Sequence, residues 1–378
     1  MRSNLLVNSI KDSKVTKVPA SSNPLREQRW ESLAPSKDAR DLAHTARDHF
    51  TSLESIALTR RAVAGDRDVD ELWSTLLDSG YPQIGVPERF GGVGDAIDLT
   101  VLLEEAGRAL LPVPLLPTVA ASQLLLLAGL GDDRLGLRRS TLGVAEGRVR
   151  DARVTCGPVR VLHGADAESV VLIVTEDTNL HVVEVDLPSS GLVTSDSVND
   201  LDPSRPMTKL TVTDAATRRH REFPTADRHQ LLGPARLCIA ADLVGVSAGA
   251  LDRTVQHILD RRQFGRQLAA FQAVKHQMAD AYVRVEKARS LVLGTALAVR
   301  DEPLRPRTGQ LSLFALGSSI EAAVEVSARC VQLLGAMGVT FEADAHLYLR
   351  RSHQTALALE SASAAFRTAA EIERQSHV

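Results

Sequence analysis

The sequence predicts a mostly helical protein with a small β domain set between two helical regions. Three observations carry that reading. Aromatic residues make up only 3% of the 378 residues, so the core must be aliphatic, and Ala- and Leu-rich segments favour helix. Between about 141 and 222 the texture changes to short β-branched runs bounded by Gly, Pro, Asp or Asn. From about 231 onward apolar residues recur in steps of four and three over long segments, the spacing of an amphipathic helix.

Taken in order, residues 1–34 hold Lys11, Lys14, Lys17 and two prolines, and are expected to form a mobile tail. An N-terminal helical domain is expected over 35–130, broken at Gly80-Tyr81-Pro82 and across Gly85 to Gly94. That second stretch, G-V-P-E-R-F-G-G-V-G, is too rich in Gly and Pro for helix or strand and reads as a structured loop. A middle β domain is expected over 131–228. Its strands are Arg153 to Leu162, S-V-V-L-I-V, L-H-V-V-E-V and K-L-T-V-T, forming a small antiparallel sheet or barrel. The last domain, 229–378, is a helical bundle. Val274, Met278, Ala281, Val285, Ala288 and Val292 mark one stripe; Leu313, Leu316, Ile320, Ala323, Ser327, Cys330 and Leu334 mark another.

Composition narrows the function. A net charge of -3 gives no general attraction to nucleic acid or anionic lipid. The three cysteines are odd in number, far apart and in no CxxC spacing, which argues for a reducing compartment and against a zinc site or disulfide framework. No continuous apolar run reaches the length of a membrane span. The first residues lack the apolar core of a secretory leader, so a cytoplasmic location is expected. Glu342, His346 and His353 fall at helical spacings, which reads as a solvated helix face rather than a metal site.

Two motifs carry chemistry. The first is D-R-R-Q-F-G-R-Q-L-A-A-F-Q, from Asp260 to Gln272. The Arg261 guanidinium offers a planar fork of donors suited to a diphosphate. Phe264 can pack on a flat ring, and Gly265 lets the chain turn sharply out of a helix. The second is Q-L-L-G-A-M-G-V-T-F-E, from Gln332 to Glu342, where a helix ends in Gly335 and Gly338 and restarts with Glu342 and Asp344 at its positive end. Small residues there allow close approach of backbone to a ligand.

The first run resembles the flavin-contacting segment R-x-Q-F-G…F-Q of acyl-CoA dehydrogenases, and the second resembles their Q-x-x-G-G-x-G-x-T-x-E segment. Gly85 to Gly94 is similar to the family's P-E-x-x-G-G loop. The resemblance spans about 50 to 378. It implies a helical domain, a β domain and a four-helix bundle, with FAD held between subunits of a homotetramer or an α₂β₂ heterotetramer. Carried over by position, it implies that Arg261, Gln263 and Phe264 touch the flavin nucleotide of a neighbouring subunit. Gln272, Gln332, Gly335 and Gly338 would line its adenosine and diphosphate portion. The activity implied is α,β-dehydrogenation of an acyl-CoA thioester, with electrons passing to an electron-transfer flavoprotein. Three departures stand out. Ala336 replaces the second Gly, only Val154 to Gly157 echoes the family's T-G-x-K strand, and the Trp that precedes that strand is absent.

The family's catalytic carboxylate is out of register at both of its usual sites. In the last helix the register gives Leu359, with Glu360 one residue later; near the start of the bundle it gives Ala235. Asp242 lies two turns beyond Ala235 on the same helical face, opposite the stripe Leu237, Ala241, Val244, Ala248 and Leu251, and is either functional or solvated. Asp242 and Glu360 are therefore the candidate bases, and Arg236 matches a family Arg beside the second site. Three roles stay open: a self-sufficient dehydrogenase, a catalytically incomplete partner subunit of a heteromeric one, and a flavin monooxygenase or oxidase on the same fold.

Overall fold

The computed structural model describes residues 35–187, 193–197 and 200–376; the tail expected over 1–34 lies outside the described residues. Among the described residues five α-helices come first: α1 (Lys37–Ser52), α2 (Ser55–Val63), α3 (Val69–Asp78), α4 (Ala96–Arg108) and α5 (Leu115–Leu127). Local chemistry sets their starts. The Ser36 hydroxyl accepts from Ala39 N–H at α1, and Asp95 with Asp98 makes a reciprocal capping box at α4. The expected loop at Gly85 to Gly94 is closed by a parallel bridge between Ile84 and Val93. Gly92 is obligatory there, since a Cβ would sit 2.2 Å from the Val86 carbonyl oxygen.

Seven strands follow: β1 (Ser140–Arg150), β2 (Arg153–Leu162), β3 (Ser169–Glu176), β4 (Asn179–Asp186), β5 (Val193–Ser197), β6 (Met207–Ala216) and β7 (Arg219–Pro224). They form one sheet in the order β5-β6-β2-β1-β3-β4-β7. The sheet is mixed, a correction to the antiparallel expectation. β2 folds back on β1 through Asp151 and Ala152, both at positive φ. The chain then passes β3 to the far side of β1, so that β1 and β3 run parallel. Valines and leucines of β1–β4 and β6 bury a core of their own. β1, β5 and β7 escaped the alternation pattern because the outer half of β1, most of β5 and nearly all of β7 are polar; β7 is a mostly exposed edge strand.

The bundle comprises α6 (Gly233–Asp260), α7 (Gln272–Asp301), α8 (Pro306–Leu334), α9 (Ala345–Thr355) and α10 (Ala362–Ser376). Both predicted stripes are buried from Met278 to Val292 and from Leu313 to Cys330. α6 and α8 are long and apolar enough by composition to cross a membrane, yet the apolar window of α6 is wholly buried in the protein, as a central core helix would be. α6 packs on α8, α4, α7, α5 and α9. It lies so close to α4 that a Cβ on Gly245 would fall 1.9 Å from the Glu104 carbonyl oxygen, and one on Gly107 would fall 2.1 Å from that of Asp242.

Candidate cofactor and active site

The two motifs meet at one end of the bundle. α6 stops at Asp260, and Arg261 turns the chain into an extended conformation. Arg262–Gln263 then pairs with Arg266–Gln267 as a minimal hairpin, whose two turn residues, Phe264 and Gly265, both have positive φ. That is the turn handedness a two-residue hairpin requires. It leaves Phe264 90% exposed at the tip, 6.2 Å from the Phe271 ring edge-on. Gln263 beside it is exposed, and so is Gln272, which opens α7.

α8 ends at Gly335, with φ at 64°, and a short 3-10 turn runs from Gly335 to Val339. Gly338 is seated on the helix end, where a Cβ would come within 2.3 Å of the Val331 carbonyl oxygen. Gln332, Gly335 and Ala336 are exposed. Arg261, His257 and Asp260 from α6 line one cleft with Leu334, Met337 and Glu342; its volume is about 530 Å³. Among the described residues no ion pair engages Arg261, so its fork of donors is free for an anion. A free guanidinium beside open glycine backbone fits the diphosphate of a flavin nucleotide.

The candidate bases lie elsewhere. Asp242 is neither solvated nor free. It is fully buried, and its two oxygens accept from Arg205 Nη1 and Nη2 at 2.6 and 2.8 Å. The reason is that α6 has no solvated face over this stretch: every residue from Gly233 to Leu251 is buried. Arg205 Nη1 also donates to the Thr355 hydroxyl at 2.8 Å. Next to it, buried Arg351 is held by Asp202, the Ser204 hydroxyl and the Leu110 carbonyl. Burial alone would raise the Asp202 carboxyl, but Arg351, Ser204 and Arg205 together hold it below its ordinary value. His163 extends the seam: burial pushes its imidazole down to about 4, against the pull of Asp166, which holds Nδ1 at 2.8 Å. Its Nε2 and the Nε of Arg205 are buried with no partner among the described residues.

Glu360 lies between α9 and α10 and pairs with Arg236 of α6 at 2.5 Å, so these two candidates are brought together. Burial drags the Arg236 guanidinium down, against the opposing pull of Glu360, and Arg236 also donates to the His229 carbonyl. Along α6, at 1.5 Å per residue, Asp242 lies about 28 Å and Arg236 about 37 Å from Arg261. One chain's base candidates and its nucleotide candidates therefore lie at separate places along α6.

Sequence reasoning missed Arg205, Asp202, Arg351 and His163. The R-R pair at 350–351 and the D-P-S-R turn at 202–205 were visible, but nothing in a sequence marks a charged residue as buried. His346 is another correction: it is buried rather than solvated, with Nδ1 2.9 Å from the Ala343 carbonyl. Among the described residues no three His, Cys, Asp or Glu side chains group as metal ligands.

Comparison with known proteins places these features in a family. The model "Acyl-CoA dehydrogenase, N-terminal domain" matches residues 36–135, and "Acyl-CoA dehydrogenase, C-terminal domain" matches 226–361. The chain is 30% identical over 332 residues to the acyl-CoA dehydrogenase IpdE2 of Mycobacterium tuberculosis, covering 87% of this chain and 95% of that protein. Its structure resembles a steroid ACAD, Tcur3481-Tcur3483, with a TM-score of 0.80 and 26% identity over 90% of this chain and 99% of the other. The ChsE4-ChsE5 complex from Mycobacterium tuberculosis shares the fold, with a TM-score of 0.78 and 23% identity over 90% of this chain and 98% of the other.

Proposed function

Because the chain belongs to the acyl-CoA dehydrogenase family, we propose that it is one subunit of a cytoplasmic, FAD-dependent acyl-CoA dehydrogenase, lending a half-site to a homologous chain. One observation carries this reading. Arg261 and the Gln332–Val339 loop open outward at one end of α6, while Asp242 and Glu360 are tied to arginines far along it. Similarity to a steroid ACAD bearing two chain names supports a bulky acyl-CoA thioester and an α₂β₂ assembly.

In this reading the exposed Arg261 neutralises the nucleotide diphosphate across the interface, and Gln332 and the Gly335–Gly338 backbone face its adenosine portion. Phe264, projecting from the hairpin tip, covers a flat ring and shields it from water. Bound flavin would supply the hydride acceptor for α,β-dehydrogenation, with an electron-transfer flavoprotein as the onward acceptor. The proton would be taken by a carboxylate of the homologous chain.

A second reading rests on Glu360, which keeps 22% side-chain exposure and stands one residue from the family's base register. There Glu360 is the base of a self-sufficient enzyme and Arg236 holds it ionised.

The visible spectrum of the chain purified alone, and then mixed with a family member encoded in the same genome, separates the two. A colourless chain that gains flavin absorbance on mixing supports the half-site. Flavin carried by the chain alone, bleached anaerobically by an acyl-CoA thioester, would overturn it in favour of Glu360.

A further inference from the structure

The turn that follows the cofactor loop is held from a distant part of the chain. Arg60, on α2, sends its whole guanidinium into residues 341–344. Nε donates to Asp344 Oδ1 at 2.7 Å, Nη1 to the Phe341 carbonyl at 2.8 Å and Nη2 to the Glu342 carbonyl at 3.2 Å. The other Asp344 oxygen accepts from Arg253 of α6, whose Nε also donates to the Tyr348 hydroxyl at 3.1 Å. Tyr348 in turn donates to the Arg108 carbonyl of α4 at 2.9 Å.

Beside these arginines, the loop is tied to α9 by His346, whose Nδ1 lies 2.9 Å from the Ala343 carbonyl and whose ring meets that of Phe341 edge-on. Val339 and Phe341 are 71% and 69% exposed, and bonds within the turn run from Thr340 and Ala343 back to Met337 and Thr340. Its seat on α8 is Gly338; its other anchor is Asp344, between two arginines. An exposed segment fixed at both ends presents backbone in one geometry and loses less freedom when a ligand docks.

We infer that Arg60 is a positioning residue for the Gln332–Val339 loop, setting from α2 the backbone that receives the flavin nucleotide. This rests on the reading of that loop as part of a flavin site. A surface ion pair alone contributes little to stability, and two of the three contacts go to main-chain carbonyls, so the consequence of Arg60 is the shape of the turn. Lysine cannot replace it, because one ammonium does not span a carboxylate and two carbonyls.

Arg60→Ala, Arg60→Lys and Asp344→Asn, made in the full chain assembled with its homologous partner, test this by two measurements. The first is amide hydrogen exchange across 335–344, which needs no flavin. The second is the dissociation constant for FAD. Arg60→Ala is expected to speed exchange in that segment alone and to weaken FAD by roughly 3- to 30-fold. Arg60→Lys should fall between, and Asp344→Asn should loosen the same segment. Unchanged exchange in both Arg60→Ala and Asp344→Asn overturns the inference, and so does faster exchange with an unchanged FAD constant. Failure of the wild-type assembly to bind FAD would overturn the flavin site itself. That case is recognisable because the exchange result is obtained independently.

Discussion

Arg205 and Asp242 face each other across the junction of sheet and bundle as a two-bond pair, 2.6 and 2.8 Å long, with only 2% and 1% of their side chains exposed. An aspartate so held is a structural anchor: both oxygens already accept from a guanidinium, and no water reaches them.

Removing one member of that pair strands the other. Asp242→Asn keeps the shape and leaves Arg205 buried without its counter-charge, so it should destabilise the fold by about 3–5 kcal/mol. The double change Arg205→Met with Asp242→Leu should recover most of that, because apolar replacement of a buried pair is often neutral or better. Chemical denaturation of the wild type and these two variants checks both. A stable Asp242→Asn with lowered turnover would mean that Asp242 serves the reaction.

Glu360→Gln distinguishes the half-site from the self-sufficient enzyme. On the half-site reading the assembled enzyme keeps its turnover to within about twofold, whereas loss of a general base costs roughly 10²–10⁴-fold. Stability should fall by on the order of 1–2 kcal/mol, since buried Arg236 keeps an amide oxygen as acceptor but loses its counter-charge. Steady-state kinetics and a melting curve on the same preparation read the two effects separately.

Acid should weaken the protein before its carboxylates titrate. Unfolded His163 takes up a proton near pH 6.5, while the folded imidazole, kept neutral by burial, does so only near 4. Between those values the unfolded state binds more protons, so stability falls as the pH drops. The full difference is on the order of 3 kcal/mol. Asp166, held below its ordinary value, adds a further loss at lower pH. Unfolding free energies between pH 7 and 4 should flatten in His163→Gln.

Gly245→Ala is expected to be among the most damaging single methyl additions. Its Cβ would meet the Glu104 carbonyl oxygen at 1.9 Å, and a main-chain atom cannot swing aside, so α4 and α6 must separate. A loss of about 3 kcal/mol or more is expected. Gly294→Ala, whose Cβ meets nothing within 4 Å, is the control and should be neutral or slightly stabilising.

Phe264→Ser should leave the melting temperature of the isolated chain within about 1 °C, because the ring is 90% exposed. Flavin retention by the assembly should drop. Equal retention in variant and wild type would remove Phe264 from the site.

Much of this was legible in the sequence, and the reason differs by element. The stripe from Met278 to Val292 was readable because those side chains face one core from one helix, and periodicity reports that arrangement directly. β2 was readable to the residue, since Gly and Pro inside it did not break the alternation around them. The Arg261 hairpin and the Gly335 turn were readable because small residues and positive φ leave a mark in composition. Asp242 was not. It lies opposite the stripe Leu237, Ala241, Val244, Ala248 and Leu251, where a solvated side chain is the ordinary expectation, and only the arrival of Arg205, from a loop 37 residues earlier, shows that the face is closed. The mixed sheet was illegible for a related reason: pairing order depends on where the chain goes after β2, which no local pattern encodes.

The charged seam has a consequence for how this protein can be taken apart. Asp202 and Arg205 come from the sheet's own connections, but their partners Arg351, Thr355 and Asp242 belong to α9 and α6. An excised sheet would keep charges shaped for partners it no longer has, and a sheet grafted from a relative would meet charges it was not shaped for. Exchange of parts between such chains therefore succeeds only when loop, helix and sheet travel as one cassette.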